Sequence, residues 1–434
     1  MIVNFLKNKF VKDNTIYVTG VLLVGILGYM FHFLVSRNLS VSEYGELQSL
    51  LAVYSILAVF GSALSYFVIK HSSVFSKFKD YEANKNFTDF INKKLKKIAI
   101  ILFILFILIS PWLYKLLHLS NFWGLFFIIT ATFITLEFSV YYGELNAWEE
   151  FFSSNAILFA GAVVKLITGF LFAFLFANAS MVAISILTSS LITWFLAQYV
   201  VSKKLLKIQQ VVAEKSWREY FPKINFKKII LPTFIFSILY TLTINLDIIL
   251  VKSLTTSEIT GYYSALSLLG KIIFWVNSAI IAVILPKAYA AGHEGKRVNK
   301  KTILQAYGLI FLVGILGILL YFLFPKIIIT LLFGSKYAIF VNTLWLFALM
   351  ALILSLLALE ANFSYAKHDF RISYVLAMTA FLMIFGIYFF HHNIQEMILA
   401  INTSFLLGYL VALSMNTLLK IPLNSEAEEK IITT

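Results

Sequence analysis

No cysteine occurs in the 434 residues, which excludes disulfides, thiol nucleophiles and cysteine metal sites. Charge is scarce as well. Asp, Glu, Lys and Arg make up 13% of the chain, where a soluble domain carries about 25%. A chain so poor in charge cannot keep its surface wet. Proline is limited to six residues, and Pro232, Pro286 and Pro325 fall near the ends of apolar runs, where a missing N–H costs least. No Walker A sequence is present, which excludes a P-loop ATPase. His391-His392 lacks further ligands and makes a poor metal site, and Glu149-Glu150 sits on a short polar turn.

What remains is apolar. Hydrophobic residues reach 60%, with 43 Phe, and mean hydropathy is +0.88. Twelve apolar segments can be traced, at about 15–37, 45–69, 98–117, 122–144, 153–176, 180–202, 229–251, 260–286, 302–324, 341–361, 371–390 and 395–419. Each is near the ~20 residues that a helix needs to cross ~30 Å of hydrocarbon. Open strands cannot satisfy their backbone in lipid, so the spans are helices. The first segment has no A-x-A-like cleavage site and reads as a retained helix.

The net charge of +14 would suggest nucleic acid in a soluble protein. Its distribution says otherwise. With both termini placed in the cytoplasm, 28 of the 35 Lys and Arg fall on inside segments and five outside; Lys165 and Lys271 lie within helices. That asymmetry is the positive-inside pattern, and no nucleic-acid partner is expected. The longest linkers are 70–97 and 203–228. In the first, Phe87, Phe90, Ile91 and Leu95 share a helical face beside Lys93, Lys94, Lys96 and Lys97, which fits either an amphipathic helix on the inner leaflet or a solvated helix extension. Outside loops are short, the longest about 325–340. The tail 424–434 is polar and expected to be disordered.

One stretch occurs twice. Arg37-Asn38-Leu39-Ser40-Val41-Ser42-Glu43-Tyr44-Gly45 is echoed by Lys252-Ser253-Leu254-Thr255-Thr256-Ser257-Glu258-Ile259-Thr260-Gly261. The basic residue, the Ser-Glu pair and a later serine (Ser49, Ser264) repeat at an offset of 215, and the glycine slips by one. Twice that offset nearly fills the chain. The expectation is an all-α membrane protein of two homologous six-helix lobes, 1–210 and 211–423, in a parallel repeat.

Several stretches carry a resemblance. They are Leu34-Val35-Ser36-Arg37 through Ser42-Glu43-Tyr44-Gly45, Leu231-Pro232, Asn245-Leu246-Asp247, Gly261-Tyr262-Tyr263, Leu285-Pro286-Lys287 and Leu332-Phe333-Gly334-Ser335-Lys336-Tyr337. In their order and spacing the chain resembles the polysaccharide-transporter (Wzx-like) family of bacterial flippases, within the MATE-like flippase superfamily. The resemblance implies two lobes in a V around a central cavity, in the cytoplasmic membrane. It implies a polyprenyl-(pyro)phosphate-linked oligosaccharide as substrate, moved for surface polysaccharides such as O-antigen by alternating access. Partners would be that substrate, membrane lipids and polysaccharide assembly proteins; no cofactor is implied. Lipid II flippases usually carry fourteen helices, for which the chain has no room. Multidrug MATE exporters often have a carboxylate deep in the first helix, which is absent here.

Ionisable groups within spans cost about 2.5–3.5 kcal/mol each on insertion scales and are functional candidates by default. Lys271 and Lys165 sit near the middle of their helices, one per half, and a pair of ammonium groups would attract a pyrophosphate; each could instead tie helices together through a carboxylate. Lys70 closes the second segment and is either a first contact for phosphate or a positive-inside anchor. Asp247 and its repeat counterpart His32 are candidates for a coupling ion, H⁺ or Na⁺, or for a structural network. Glu137 is the expected partner of Lys165, while Glu144 and Glu360 lie near cytoplasmic ends. Gly25, Gly28, Gly314 and Gly317 would allow close helix contact or bending. The alternatives are a MATE-like exporter of small molecules and a membrane glycosyltransferase; acids should dominate the first, and the second typically needs a large outside loop.

The cysteine-free chain makes the orientation directly testable. A single Asn38→Cys should react with a membrane-impermeant thiol reagent in intact cells, and Lys94→Cys only after permeabilisation. The opposite pattern would invert the topology.

Overall fold

In the computed structural model, residues 9–206, 217–220, 226–293, 300–367 and 369–418 are described. The polar tail 424–434, much of the 203–228 linker, residues 294–299 of the 287–301 loop and the side chain of Lys287 lie outside the described residues. Among the described residues twelve helices are long and apolar enough to cross a membrane. They are α1 (Lys9–Asn38), α2 (Val41–Phe78), α3 (Tyr81–Leu116), α4 (Trp123–Ala147), α5 (Phe151–Phe176) and α6 (Ala179–Leu206), then α7 (Phe226–Leu254), α8 (Ser257–His293), α9 (Lys300–Leu323), α10 (Leu344–Ala366), α11 (Ile372–Phe389) and α12 (Ile394–Leu418). The chain divides into two compact units, Met1–Ile230 and Leu231–Thr434.

The two units share one packing scheme. In the first, α2 lies along α4 and α4 along α6; in the second, α8 lies along α10 and α10 along α12. The central helix of each unit is its most buried span. Nineteen of the residues of α10 are buried, Glu360 among them. The lipid-facing helices are the converse: on α3, Ile98, Ile101, Ile104 and Leu108 are exposed.

Lipid tails are as apolar as leucine, so helices associate through close packing and hydrogen bonds. Small residues supply the approach. A Cβ on Gly143 of α4 would stand 2.9 Å from both the Ser65 carbonyl oxygen and Val68 Cβ of α2. Gly314 faces Leu352 and Gly317 faces Ile273, so both are packing positions, whereas a methyl added at Gly25 or Gly28 would have nothing within 4 Å. Gly334 adopts φ +101° in the turn before a 3-10 segment, Ser335–Thr343. A side chain there would be strained. The loop expected at 325–340 is thus helical for most of its length, since Pro325–Leu332 is also a short helix with proline at its start.

The repeated stretch turns out to be a helix start. Ser40 Oγ accepts from the Glu43 N–H at 3.1 Å, the N-cap of α2. Glu43 then reaches across to accept from the Ala179 N–H at the first turn of α6, 2.5 Å away. Glu46 receives the Ser120 N–H and hydroxyl at 3.0 and 2.9 Å. In the second copy Thr256 Oγ1 caps α8 by accepting from Ile259 N at 3.3 Å, and buried Lys252 donates to Ser257.

The 70–97 segment is neither loop nor surface-lying helix. α2 runs on to Phe78, turns through Lys79 (φ 54°), and α3 starts at once with Asp80 Oδ1 accepting from the Ala83 N–H at 2.9 Å. At 1.5 Å per residue, the 38 residues of α2 outrun a ~30 Å core by about 25 Å. Phe87 and Ile91 pack on Phe67, Val68, Phe75 and Val140, with Phe90 and Leu95 at the edge. Protein, rather than the leaflet, covers that apolar face. The short helix Trp217–Tyr220 closes it: Tyr220 donates to Asp80 Oδ2 at 2.9 Å, and the Trp217 ring lies 4.9 Å from that of Phe90. In the α10–α11 turn, Arg371 donates through Nε and Nη2 to Asp369 at 2.8 and 2.7 Å. That contact holds the Asp369 carboxyl below its usual range.

Overpacking a close helix contact costs about 1–3 kcal/mol. Gly143→Leu should therefore lower the melting temperature in detergent, while Gly25→Ala, where space is open, should leave it unchanged. Equal effects of the two would disprove the close approach of α2 and α4.

Candidate functional site: buried charges of the two lobes

In the second lobe α7 carries Asp247 and α8 carries Lys271, four turns into a helix started by the Thr256 cap. Lys271 Nζ donates to both carboxylate oxygens of Asp247, at 3.1 and 3.2 Å. Two hydroxyls of α8 add to Asp247 Oδ2: Tyr263 at 3.1 Å and Ser267 at 3.0 Å. Asp247 is 1% exposed and Lys271 6%. Tyr263, Ser267 and Lys271 follow at spacings of four residues, which sets them on one face of α8. The carboxylate is thus matched by one cation and two neutral donors. This is the form in which a buried ion pair can persist, because the remaining lone pairs are satisfied.

The first lobe builds the equivalent place differently. His32 on α1 is half-buried, and its Nδ1 accepts from Gln48 Nε2 of α2 at 2.9 Å. Gln48 also donates to the Tyr44 hydroxyl at 2.6 Å. An imidazole nitrogen that accepts belongs to the neutral ring, with its proton on Nε2. His32 and Asp247 are 215 apart, and so are Gln48 and Tyr263. The polar couple of α1 with α2 recurs between α7 and α8, sixteen residues apart in both lobes.

A lysine joins each couple, from a different helix. Lys271 comes from α8 itself. Lys165 comes from α5, which packs along α1. Its ammonium lies 4.4 Å from the centroid of the Phe31 ring and close to the neutral His32 ring. Phe31 is seated by Gly169, which leaves room for the ring against α5. Lys165 has no carboxylate partner among the described residues. Glu137, expected as that partner, makes no ion pair with it; adjacency of α4 and α5 in sequence does not place the two side chains on facing sides. The first lobe therefore holds an uncompensated cation, the second a neutral pair. A cation over an aromatic face gains about 0.5–2 kcal/mol, less than the insertion cost of its charge.

Two further carboxylates stand at the end of the lobes that carries the basic segments. Glu144 near the end of α4 is 2% exposed and accepts from Asn84 Nδ2 of α3 at 2.6 Å. Glu360 near the end of α10 is 3% exposed. Its Oε1 accepts from the Tyr307 hydroxyl of α9, and its Oε2 from Asn416 Nδ2 of α12 at 2.5 Å. They are 216 apart, the slip seen in the repeated glycine. Lys70 is exposed on α2, apart from both clusters. Sequence reasoning overlooked Gln48, Tyr263, Ser267, Asn84, Tyr307 and Asn416. The offset that pairs Asp247 with His32 would have pointed to the first two.

Among the described residues no cluster of His, Asp and Glu could hold a metal ion. No protein-family model matches the chain, and no curated protein matches it in sequence. Solved structures do share its fold. An inward-facing multidrug resistance MATE family transporter of the MOP superfamily matches with a TM-score of 0.71 at 13% identity, over 94% of this chain and 96% of that one. The lipid II flippase MurJ, inward closed, gives 0.68 at 16%, over 96% and 92%. A MOP-superfamily transporter from Pyrococcus furiosus gives 0.62 at 13%, over 98% and 96%. The chain thus has the MATE-like fold, and at these identities the likeness speaks for the fold alone.

Breaking a buried ion pair by removing one partner costs about 3–5 kcal/mol, because the other charge is left bare. Asp247→Asn should lower the unfolding temperature in detergent clearly, and Asp247→Asn with Lys271→Met should recover most of the loss. A single variant as stable as the parent would mean that the pair is not held as an ion pair.

Proposed function

We propose that this chain is a secondary-type flippase. It would carry a polyprenyl-(pyro)phosphate-linked oligosaccharide across the cytoplasmic membrane by alternating access, for surface polysaccharide biosynthesis. The observation that carries this reading is Lys165: an ammonium in mid-span, set over Phe31, with no carboxylate partner among the described residues. A site for organic cations would present the opposite charge. Here the one carboxylate deep in a described ion pair, Asp247, is already neutralised by Lys271.

Support also comes from the fold, which the chain shares with both MATE transporters and the lipid II flippase MurJ. For the Pyrococcus furiosus relative in fold, reverse polarity of the binding pocket is taken to suggest a different function. Polarity is likewise what favours an anionic substrate here. The phosphate would be drawn to Lys165. The polyprenyl chain would stay in the bilayer, and the polar lining would meet the sugars. Moving a net charge across the membrane is worth about 2.3 kcal/mol per 100 mV, and the field favours carrying an anion outward. Countertransport of H⁺ or Na⁺ would add to that drive. Lys271 would act as a second phosphate contact only after it leaves Asp247.

The test is translocation of a lipid-linked oligosaccharide in proteoliposomes. A hydrogen bond to a charged group is worth about 1.5–3 kcal/mol, so Lys165→Gln should weaken substrate binding about ten- to a hundredfold, while Lys165→Arg keeps most of it. Binding of organic cations with no response to the lipid-linked glycan would turn the assignment to an exporter. Turnover of a glycan donor would turn it to an enzyme.

A further inference from the structure

Glu144 and Glu360 occupy corresponding places in the two lobes, yet their surroundings suit opposite states of a carboxyl group. Glu360 is arranged as a carboxylate. Both oxygens accept from donors, Tyr307 on one and Asn416 on the other. The Asn416 carboxamide oxygen is itself taken up by the Ser364 hydroxyl at 3.1 Å, and Lys367 lies close enough to act on the acid.

Glu144 has none of this. Among the described residues its carboxyl group makes one hydrogen bond, with the neutral amide of Asn84. Asn84 is fully buried, and its Oδ1 is a buried acceptor without a partner. The charged group of the described residues whose field reaches Glu144 is Asp89 of α3, which has the same sign. Tyr141, one turn back on α4, feels Glu144, Glu137 and Asp89 together. From α2, His71 is buried with its Nδ1 on the Phe67 carbonyl at 2.9 Å. Among the described residues no cation of α2, α5 or α6 acts on Glu144.

A bare carboxylate in such a place would forgo its hydration with a single neutral donor in exchange. It would also leave a carboxamide oxygen facing nothing. A carboxylic acid removes both problems at once. Its carbonyl accepts from Asn84 N–H, and its O–H donates to Asn84 Oδ1, as an amide and an acid pair in a ring of two hydrogen bonds. Turning the amide over does not alter the conclusion. Its oxygen would then stand 2.6 Å from the carboxyl oxygen, a contact between two acceptors that itself requires a proton.

We propose that Glu144 and Asn84 form a proton-binding site between α4 and α3 of the first lobe, in which the carboxyl group keeps its proton on the carboxamide oxygen. The ligand is a proton. When α3 and α4 part enough to admit water, the O–H bond breaks, the proton passes to water, and the carboxylate left behind is solvated. When the helices close, a proton is taken back up. The site stands apart from Lys165 and from the identity of the substrate, so its failure would leave the flippase reading untouched.

Infrared spectroscopy of the full chain in lipid at neutral pH reads this state directly. The expected result is a carbonyl band of a protonated carboxylic acid that disappears in Glu144→Gln and persists in Glu360→Gln. Asn84→Ala should move the band to higher frequency, because the O–H loses its acceptor. Glutamine can reproduce both hydrogen bonds, so Glu144→Gln should melt like the parent, whereas Glu144→Ala should not. A parent spectrum without the band, or a band indifferent to Glu144→Gln, would overturn the proposal. So would a Glu144→Gln protein as destabilised as Glu144→Ala, since that would mean the negative charge itself is required.

Discussion

A charge held within a lipid-spanning helix must be answered from inside the protein, and the polar architecture of both lobes follows from that requirement. Insertion scales put the cost of each such group at about 2.5–3.5 kcal/mol. The second lobe answers fully: Asp247 takes Lys271, Tyr263 and Ser267 around one carboxylate. The first lobe answers in part. Lys165 is eased by the face of Phe31 but by no opposite charge among the described residues, and its neighbour His32 is engaged as an acceptor by Gln48. Stability alone would not select this arrangement, because an apolar residue in place of Lys165 would remove the cost. An uncompensated cation is better explained by what it attracts.

The same constraint governs the helix pairing. Without a hydrophobic force between spans, close contact has to come from shape, and it does so at Gly143 against α2 and at Gly314 against Leu352. The clamps at the α1–α2 end work on polar terms instead. Glu43 and Glu46, set one turn into α2, satisfy backbone N–H groups at the start of α6 and in the α3–α4 turn. Those N–H groups would otherwise be left open at a helix end. The Ser-Glu stretch of the first lobe is therefore a fastening, and the buried charges of the candidate site lie elsewhere, on α4, α5, α7, α8 and α10.

Much of the fold was legible because a ~20-residue apolar run has one structural solution in lipid; the twelve expected segments and the twelve spans coincide. The 70–97 segment was harder to read, because a helix that leaves the bilayer also leaves the hydropathy signal. Its apolar face, Phe87 and Ile91, has the same pattern whether it meets lipid or Val140. The partner of Lys165 was misjudged for a related reason: neighbouring helices share an interface, but rotation decides which residues enter it. The lobes preserve the place and change the chemistry, as the pairing of Asp247 with His32 at the repeat offset already indicated. His32 with Gln48 answers to Asp247 with Tyr263, and the shift to 216 hid Glu144 against Glu360.

That divergence has a direction. In the second lobe the described charges are closed on themselves. Asp247 is paired with Lys271, and Glu360 is surrounded by donors. Among the described residues the first lobe keeps its chemistry open at both depths: a lysine without an acid in mid-span, and toward the basic end an acid without a base, facing an amide oxygen that has no donor. Open groups respond to what arrives, whether an anion or a proton, and closed ones hold a helix in place. Both proposed binding groups therefore belong to the first lobe, and the intact polar pairs of the second tie α7 to α8 and α10 to α9 and α12.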